Sequence, residues 1–187
     1  MMTRPNLTAT RSAVRWASLG LGLAALALTG PAMAGEDGAK EPEYAQVSAA
    51  TAPVADAYFA AYIDRDWDSL EPLLADDADF LDPTGTLVFG PVGAEGKPAM
   101  MKTFREGYSG ITEEHFTPMR VIHSGDQALY EGMLDWSVRL ADGKVVSSKT
   151  PFVTILGVKD GKVITHRDYA DYGPFLAALH EVRGDQG

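Results

Sequence analysis

The sequence contains no cysteine. Disulfides, thiolate nucleophiles and Cys-ligated metals are therefore excluded, and an oxidising compartment is harmless to the chain. Basic residues are scarce: 16 Lys+Arg stand against 26 Asp+Glu, a formal net charge of −10 at pH 7. No Lys/Arg cluster offsets this, so phosphate backbones and anionic membrane surfaces are repelled. Neither nucleic acid nor a membrane is expected as a partner of the mature chain. A Gly-rich phosphate loop, a Gly-x-Ser-x-Gly elbow and internal repeats are also missing. Histidine occurs four times, never as His-x-x-x-His, so no metal site and no cofactor are expected.

What is present fits one globular domain with its own core: 187 residues, 45% hydrophobic and 22% charged. The first stretch stands apart from it. Arg4, Arg11 and Arg15 give a basic start without an acidic residue, and Trp16 to Leu28 is an apolar run, short of the ~20 residues a membrane-spanning helix needs. Ala32-x-Ala34 supplies a cleavage site, so residues 1–34 read as a signal peptide, with export to a periplasm or the exterior. Its removal takes three arginines and no carboxylate, which moves the net charge from −10 to −13. Residues 35–46 read as a flexible lead, 47–183 as the domain and 184–187 as a tail.

Within the domain, apolar residues at helical spacing predict a helix from Val47 to about Ile63 and a second from Trp67 to Leu74, after the capping Asp66. Asp79–Asp82 reads as a short strand, Pro83-Thr84-Gly85 as a turn and Thr86–Phe89 as a returning strand. A third helix is predicted over Gly96–Tyr108. From there the period changes to two. Glu114–Ser124, Gln127–Leu140, Val145–Val158 and Lys162–Ala170 read as four strands joined at "SGD", "ADG" and "KDG", followed by a short helix, Phe175–Val182. Helices first and an antiparallel meander after them define an α+β class, with long strands folded over a helix and a pocket between.

Several stretches resemble the SnoaL-like, nuclear transport factor 2-like family: "AYFAAYIDRDWDSLEPLLADDADFLDPTG", "GKPAMMKTF" and "DGKVITHRDYADYGPF", together spanning about residues 50–178. The resemblance implies a cystatin-like α+β cone that encloses a pocket, and a homodimer. Members of this fold include isomerases, hydrolases, dehydratases, cyclases and plain binding domains.

Two members imply roles for particular residues. By likeness to ketosteroid isomerase, Tyr58 donates to a developing oxyanion and Asp82 shuttles the proton. The second oxyanion donor of that enzyme falls near Val153 or Thr154 and is absent. By likeness to limonene-1,2-epoxide hydrolase, "RDYAD" places Asp168 at one catalytic carboxylate position, and Asp135 in "LYEGMLDW" takes the other. That enzyme's bridging arginine is Met133 here, and its water-holding tyrosine and asparagine are Phe80 and Asp82.

The residues themselves supply an independent reading. Asp82, Asp135 and Asp168 fall on three strands; if they converge in an apolar pocket, at least one is pushed towards its protonated form, giving a donor beside a base. Epoxide opening, double-bond migration and dehydration all need such a pair. His166 lies two residues from Asp168 on one strand face, so the two side chains are placed to touch and set each other's protonation. Structural alternatives stay open for each: Asp168 paired with Arg167 or Lys149, Asp82 as an Asx turn residue, Asp135 as a solvated strand residue, Tyr58 as core. His115 and His123 read as ordinary strand residues, and Asp76, Asp77 and Asp79 as a solvated helix end.

Tyr62, Phe80, Phe104, Met133 and Phe152 are the candidate substrate-binding residues, and Phe59, Phe89, Met100, Met101 and Trp136 are further candidates for the pocket lining. As a group they favour a small apolar ligand over a sugar or a nucleotide. Two function classes follow: an acid/base enzyme without cofactor, of epoxide hydrolase-like or isomerase-like type, or an exported binding or protein-interaction domain without turnover.

Overall fold

The computed structural model describes residues 43–184; the expected signal peptide, residues 35–42 of the lead and the end of the tail lie outside them. The first helix, α1 (Tyr44–Asp64), begins three residues before the expected Val47. Thr51, Ala55, Tyr58, Phe59 and Tyr62 form its buried stripe, at the spacing that keeps side chains on one helix face. It ends at Arg65, whose φ of 55° is left-handed and whose amide donates back to the Ala61 and Tyr62 carbonyls.

Helix α2 (Trp67–Leu70) is capped by Asp66, whose carboxylate accepts from the Ser69 amide. A 3-10 turn, Glu71–Leu73, then leads into β1 (Leu74–Leu81). The acidic run Asp76-Asp77-Asp79 is thus inside a strand and not at a helix end. Leu74, Ala78 and Phe80 are the residues that hold it there, because all three are buried in the core.

Thr86–Phe89 is helical, contrary to the returning strand predicted for it: α3 spans Pro83–Phe89. The same residues that announce a turn also start a helix. Asp82 caps it by accepting from the Gly85 amide at 2.6 Å, and Pro83 at the first helical position is already in helical φ. The returning strand comes later, as β2 (Gly93–Glu95), antiparallel to β1. Helix α4 (Lys97–Gly107) follows, burying Met100, Met101 and Phe104.

The meander is as predicted, with β3 (Ile111–Ser124) starting three residues early, then β4 (Gln127–Arg139), β5 (Val145–Lys159), β6 (Lys162–Ala170) and the closing helix α5 (Gly173–Arg183). The turn between β5 and β6 has positive φ at both Asp160 and Gly161, the requirement of the tight hairpin turn that Asp-Gly satisfies. The sheet order is β2-β1-β6-β5-β4-β3, antiparallel except for the β1–β6 pair. The six strands of the described residues thus form one sheet whose inner face packs on α1, and α4 packs on β1 and β2 at its end. This is the α+β cone, and its core is the layer between α1, α4 and the inner face: Tyr58, Phe80, Phe104, Tyr130 and Leu156 among others.

Candidate active site

A cavity of about 470 Å³ opens between the inner face and the helices. The sheet contributes Leu134, Trp136, Phe152 and Ala170; Phe89, Tyr172 and Phe175 come from α3 and the α5 region. Its polar side chains include Tyr62, Asp82, Tyr108, Glu114 and Asp168. Trp136 and Phe175 stack at 4.8 Å, so α5 is fixed over this end of the sheet by aromatic contact.

Asp168 reaches the cavity because the alternation of β6 turns His166 and Asp168 inward together. Its carboxylate is 1% exposed and accepts three side-chain hydrogen bonds. Thr154 donates to Oδ1 at 2.6 Å, His166 Nε2 lies 2.9 Å from the same oxygen, and the Tyr62 hydroxyl donates to Oδ2 at 2.7 Å. Behind it, Tyr58 Oη lies 3.0 Å from His166 Nδ1. One assignment uses every proton: Tyr58 donates to Nδ1, which leaves the ring proton on Nε2 for Asp168. The imidazole therefore orients the carboxylate, and the pair that alternation placed on one face does touch. His166 is fully buried, edge-on to Tyr58 and Tyr62 and tilted against Phe80; it does not itself line the cavity.

That geometry changes the part of several predicted residues. Tyr58 is also fully buried and its hydroxyl is engaged by His166, so it acts on the site only through the imidazole and is not a direct oxyanion donor. Phe80 and Phe104 pack in the core around His166 and do not line the cavity, whereas Tyr62 and Phe152 do. Asp82 lines it and is 4% exposed, but its oxygens are already occupied. Oδ1 accepts from the Gly85 amide and from Thr84, and Oδ2 accepts from Tyr172 at 2.6 Å. Its observed work is to cap α3 and tie it to the start of α5.

Asp135 and Met133 are not in the site. In the register of β4, Leu134 and Trp136 face inward, which sends Met133 and Asp135 to the outer face. There Asp135 pairs with Lys149 at 3.2 Å, both side chains well exposed. The expected convergence of Asp82, Asp135 and Asp168 is thereby corrected: strand alternation shows which residues share a face, and only pairing shows which face is inside. Asp135 borders a second trough of about 590 Å³ with Glu113, Glu114, His115, Trp136 and Lys149, so Glu114 and Trp136 border both this trough and the inner cavity. That trough is open and polar, so the enclosed aromatic cavity is the better binding site. Arg167 pairs with Asp79, and His123 with Asp56 at 2.9 Å, so neither pairs with Asp168. Among the described residues no group of three or more His, Asp or Glu is placed to hold a metal ion.

Two functional candidates are absent from the sequence reading, Glu114 and Tyr108. Tyr108, just past α4, places its hydroxyl 2.7 Å from that of Tyr62, extending the chain of hydroxyls from Asp168. Burial first, then the neighbouring Asp168, holds the Tyr62 and Tyr108 hydroxyls well above the usual phenol range, so both stay protonated. Glu114 pairs with Trp136 across β3 and β4, on the inner side. Its side chain is 4% exposed and sits 3.6 Å from Arg65 Nη1. Loss of solvent pushes its carboxyl up to about 8 despite Arg65, and Asp168 adds to the rise. The one available signal was "EEH" at a strand start, where Glu113 and Glu114 alternate faces.

An α+β cone with an aromatic cavity and a carboxylate on its wall defines a class of fold with many chemistries. The chain belongs to the SnoaL-like domain family, which it matches over residues 55–166. No functionally curated protein matches it by sequence. A protein from Shewanella putrefaciens described as a "putative SnoaL-like polyketide cyclase" is 20% identical with a TM-score of 0.62, over 70% of this chain and 96% of that one. A nuclear transport factor 2-like protein from Burkholderia xenovorans is 18% identical with a TM-score of 0.57, over 70% and 95%. An LEH-like epoxide hydrolase from M. tuberculosis is 19% identical with a TM-score of 0.53, over 76% and 96%. Likeness at such identities shows the fold, and function has to come from the site.

Proposed function

We propose that the protein is a cofactor-independent acid/base enzyme for a small, mostly apolar molecule, with Asp168 as the base, acting on an epoxide or on an enolisable ketone. The observation that carries this is the Asp168 carboxylate. It is held by Thr154, His166 and Tyr62 and lies on the wall of a cavity otherwise lined largely by aromatic and aliphatic side chains. Three donors fix its direction, and a carboxylate offers about four acceptor positions, so one remains for a substrate or water proton. An epoxide hydrolase among the similar structures is in keeping with this reading.

Turnover of a panel of neutral epoxides and cyclic ketones by the protein and by D168N tests it. The expected result is conversion, or exchange of solvent deuterium into at least one member, reduced at least a hundredfold in D168N. Equal rates in both proteins would remove Asp168 from the chemistry. The competing reading is a binding domain without turnover, favoured by one observation: the second aspartate that family resemblance implied, Asp135, is on the outer face.

Export of the protein after removal of residues 1–34 is also part of this proposal and rests on the sequence. A homodimer through the outer sheet face is supported by the apolar side chains on it. Ile122 and Tyr169 are 43% and 41% exposed, beside the half-buried Leu129, Met133, Val153 and Ile155.

A further inference from the structure

We propose that Glu114 is the proton donor of this cavity and that the substrate is a neutral molecule whose carbonyl or epoxide oxygen accepts that proton, with Arg65 positioned to balance the carboxylate left behind. The inference rests on the acid/base reading of Asp168 and adds the partner that reading lacks.

The cavity's titratable groups are nearly all engaged with one another. Tyr62 donates to Asp168, Tyr108 is bonded to Tyr62, and Tyr172 donates to Asp82. Asp168 and Asp82 each accept three hydrogen bonds. Glu114 is the exception: its Oε2 is buried and has no hydrogen-bond partner. An orphaned carboxyl oxygen is costly in a folded protein unless something else satisfies it. Oε2 faces Arg65 Nη1 at 3.6 Å without a hydrogen bond, and Glu114 lines the cavity, so its carboxyl is placed to meet a ligand oxygen.

The surroundings suit a donor. Glu114 is faced by Arg65 from the end of α1, Tyr62 from α1, Tyr108 after α4 and Asp168 from β6. Arg65 Nη1 is also buried without a hydrogen bond, 3.6 Å from the carboxyl. At that separation the guanidinium does little for a neutral acid but attracts a carboxylate formed beside it, so charge balance is in place before the proton leaves. A carboxyl pushed up to about 8 carries its proton at neutral pH.

With an enolisable ketone the step balances without a co-reactant. Asp168 takes a proton from the carbon beside the carbonyl, the carbon–carbon double bond forms, and the carbonyl oxygen takes the Glu114 proton. Ketonisation returns the oxygen's proton to Glu114 and places the Asp168 proton on carbon. With an epoxide, water gives its proton to Asp168 and bonds to carbon as the ring C–O bond breaks, and Glu114 protonates the freed oxygen. Three carboxyl groups on one cavity, Asp82, Glu114 and Asp168, disfavour an anionic substrate in either case.

The probe is 2-tetralone, a neutral, apolar, enolisable ketone, followed by calorimetric titration and by NMR of deuterium uptake from D2O. Wild-type affinity should be level below pH 7 and about tenfold weaker at pH 9, because only the protonated Glu114 donates. E114Q keeps an N–H donor without titrating, so its affinity should not vary with pH; E114L should bind several-fold more weakly at pH 7. R65Q should move the wild-type break to higher pH, since Arg65 is what holds the Glu114 carboxyl down. A level wild-type profile, the same fall in E114Q, or no binding at any pH would overturn the proposal. Deuterium uptake separates the two claims. Uptake that D168N abolishes while E114Q leaves rate and pH profile unchanged sinks Glu114 alone. Uptake that D168N leaves intact sinks the Asp168 reading, whatever Glu114 does in the titration.

Discussion

At the scale of single residues, the site is a line of hydrogen bonds from the core to the cavity: Tyr58, His166, Asp168, Tyr62, Tyr108. Each link predicts a different loss. Y58F removes the donor to Nδ1 and should cost about 1 kcal/mol of stability in chemical denaturation. Its effect on turnover should exceed that of a mutation elsewhere in the core, because the imidazole tautomer is no longer fixed. Glu114 gives a pH prediction for folding. Its folded carboxyl sits near 8 against 4.5 for an ordinary glutamate, so between those values the folded state holds a proton that the unfolded state has released. Folding stability therefore falls as pH rises through that window. Relative to E114Q, wild type should lose on the order of a few kcal/mol from pH 4.5 to 8. Parallel stability profiles for the two proteins would show that Glu114 is not buried as described.

At the scale of elements, α3 carries the most informative prediction. Asp82 caps it, engages Thr84 and accepts from Tyr172, so D82A should cost about 2 kcal/mol and loosen both α3 and α5 at the cavity edge. Hydrogen exchange faster at Thr86–Phe89 than in wild type is the check. On β4, Gly132 leaves no room for a side chain, since a Cβ there would overlap the Thr117 carbonyl oxygen and the Phe116 ring. G132A should destabilise by about 1–3 kcal/mol; no loss would mean that β3 yields easily beside Pro118, where its register against β4 shifts. The same two elements show what was legible in the sequence. Period-two alternation and Asp-Gly turns specify the meander because register and turn type act locally. "LDPTG" was misread because an Asx turn and a helix cap use the same side-chain-to-amide bond, and only the continuation distinguishes them. Whether Asp135 or Glu114 faced inward was not legible at all. That depends on which face the helices cover, a long-range fact absent from any strand's own pattern.

At the scale of the whole molecule, the chain is an acidic SnoaL-like α+β cone whose inner face encloses the candidate site and whose outer face carries Ile122 and Tyr169 in the open. The proposed dimer buries that outer face, so I122D should shift the sedimentation coefficient from that of a dimer to that of a monomer while leaving the inner cavity unchanged. Wild type already sedimenting as a monomer would remove the dimer from the account. The claim on which the rest depends is that a neutral ligand lies in the inner cavity between Asp168 and Glu114. The most direct test is a crystal structure of the protein with 2-tetralone bound. The account predicts the ketone oxygen within hydrogen-bond distance of Glu114 and the carbon beside the carbonyl facing Asp168. A ligand lodged only in the second trough beside Asp135 and Lys149, or a cavity that excludes it, would contradict the account.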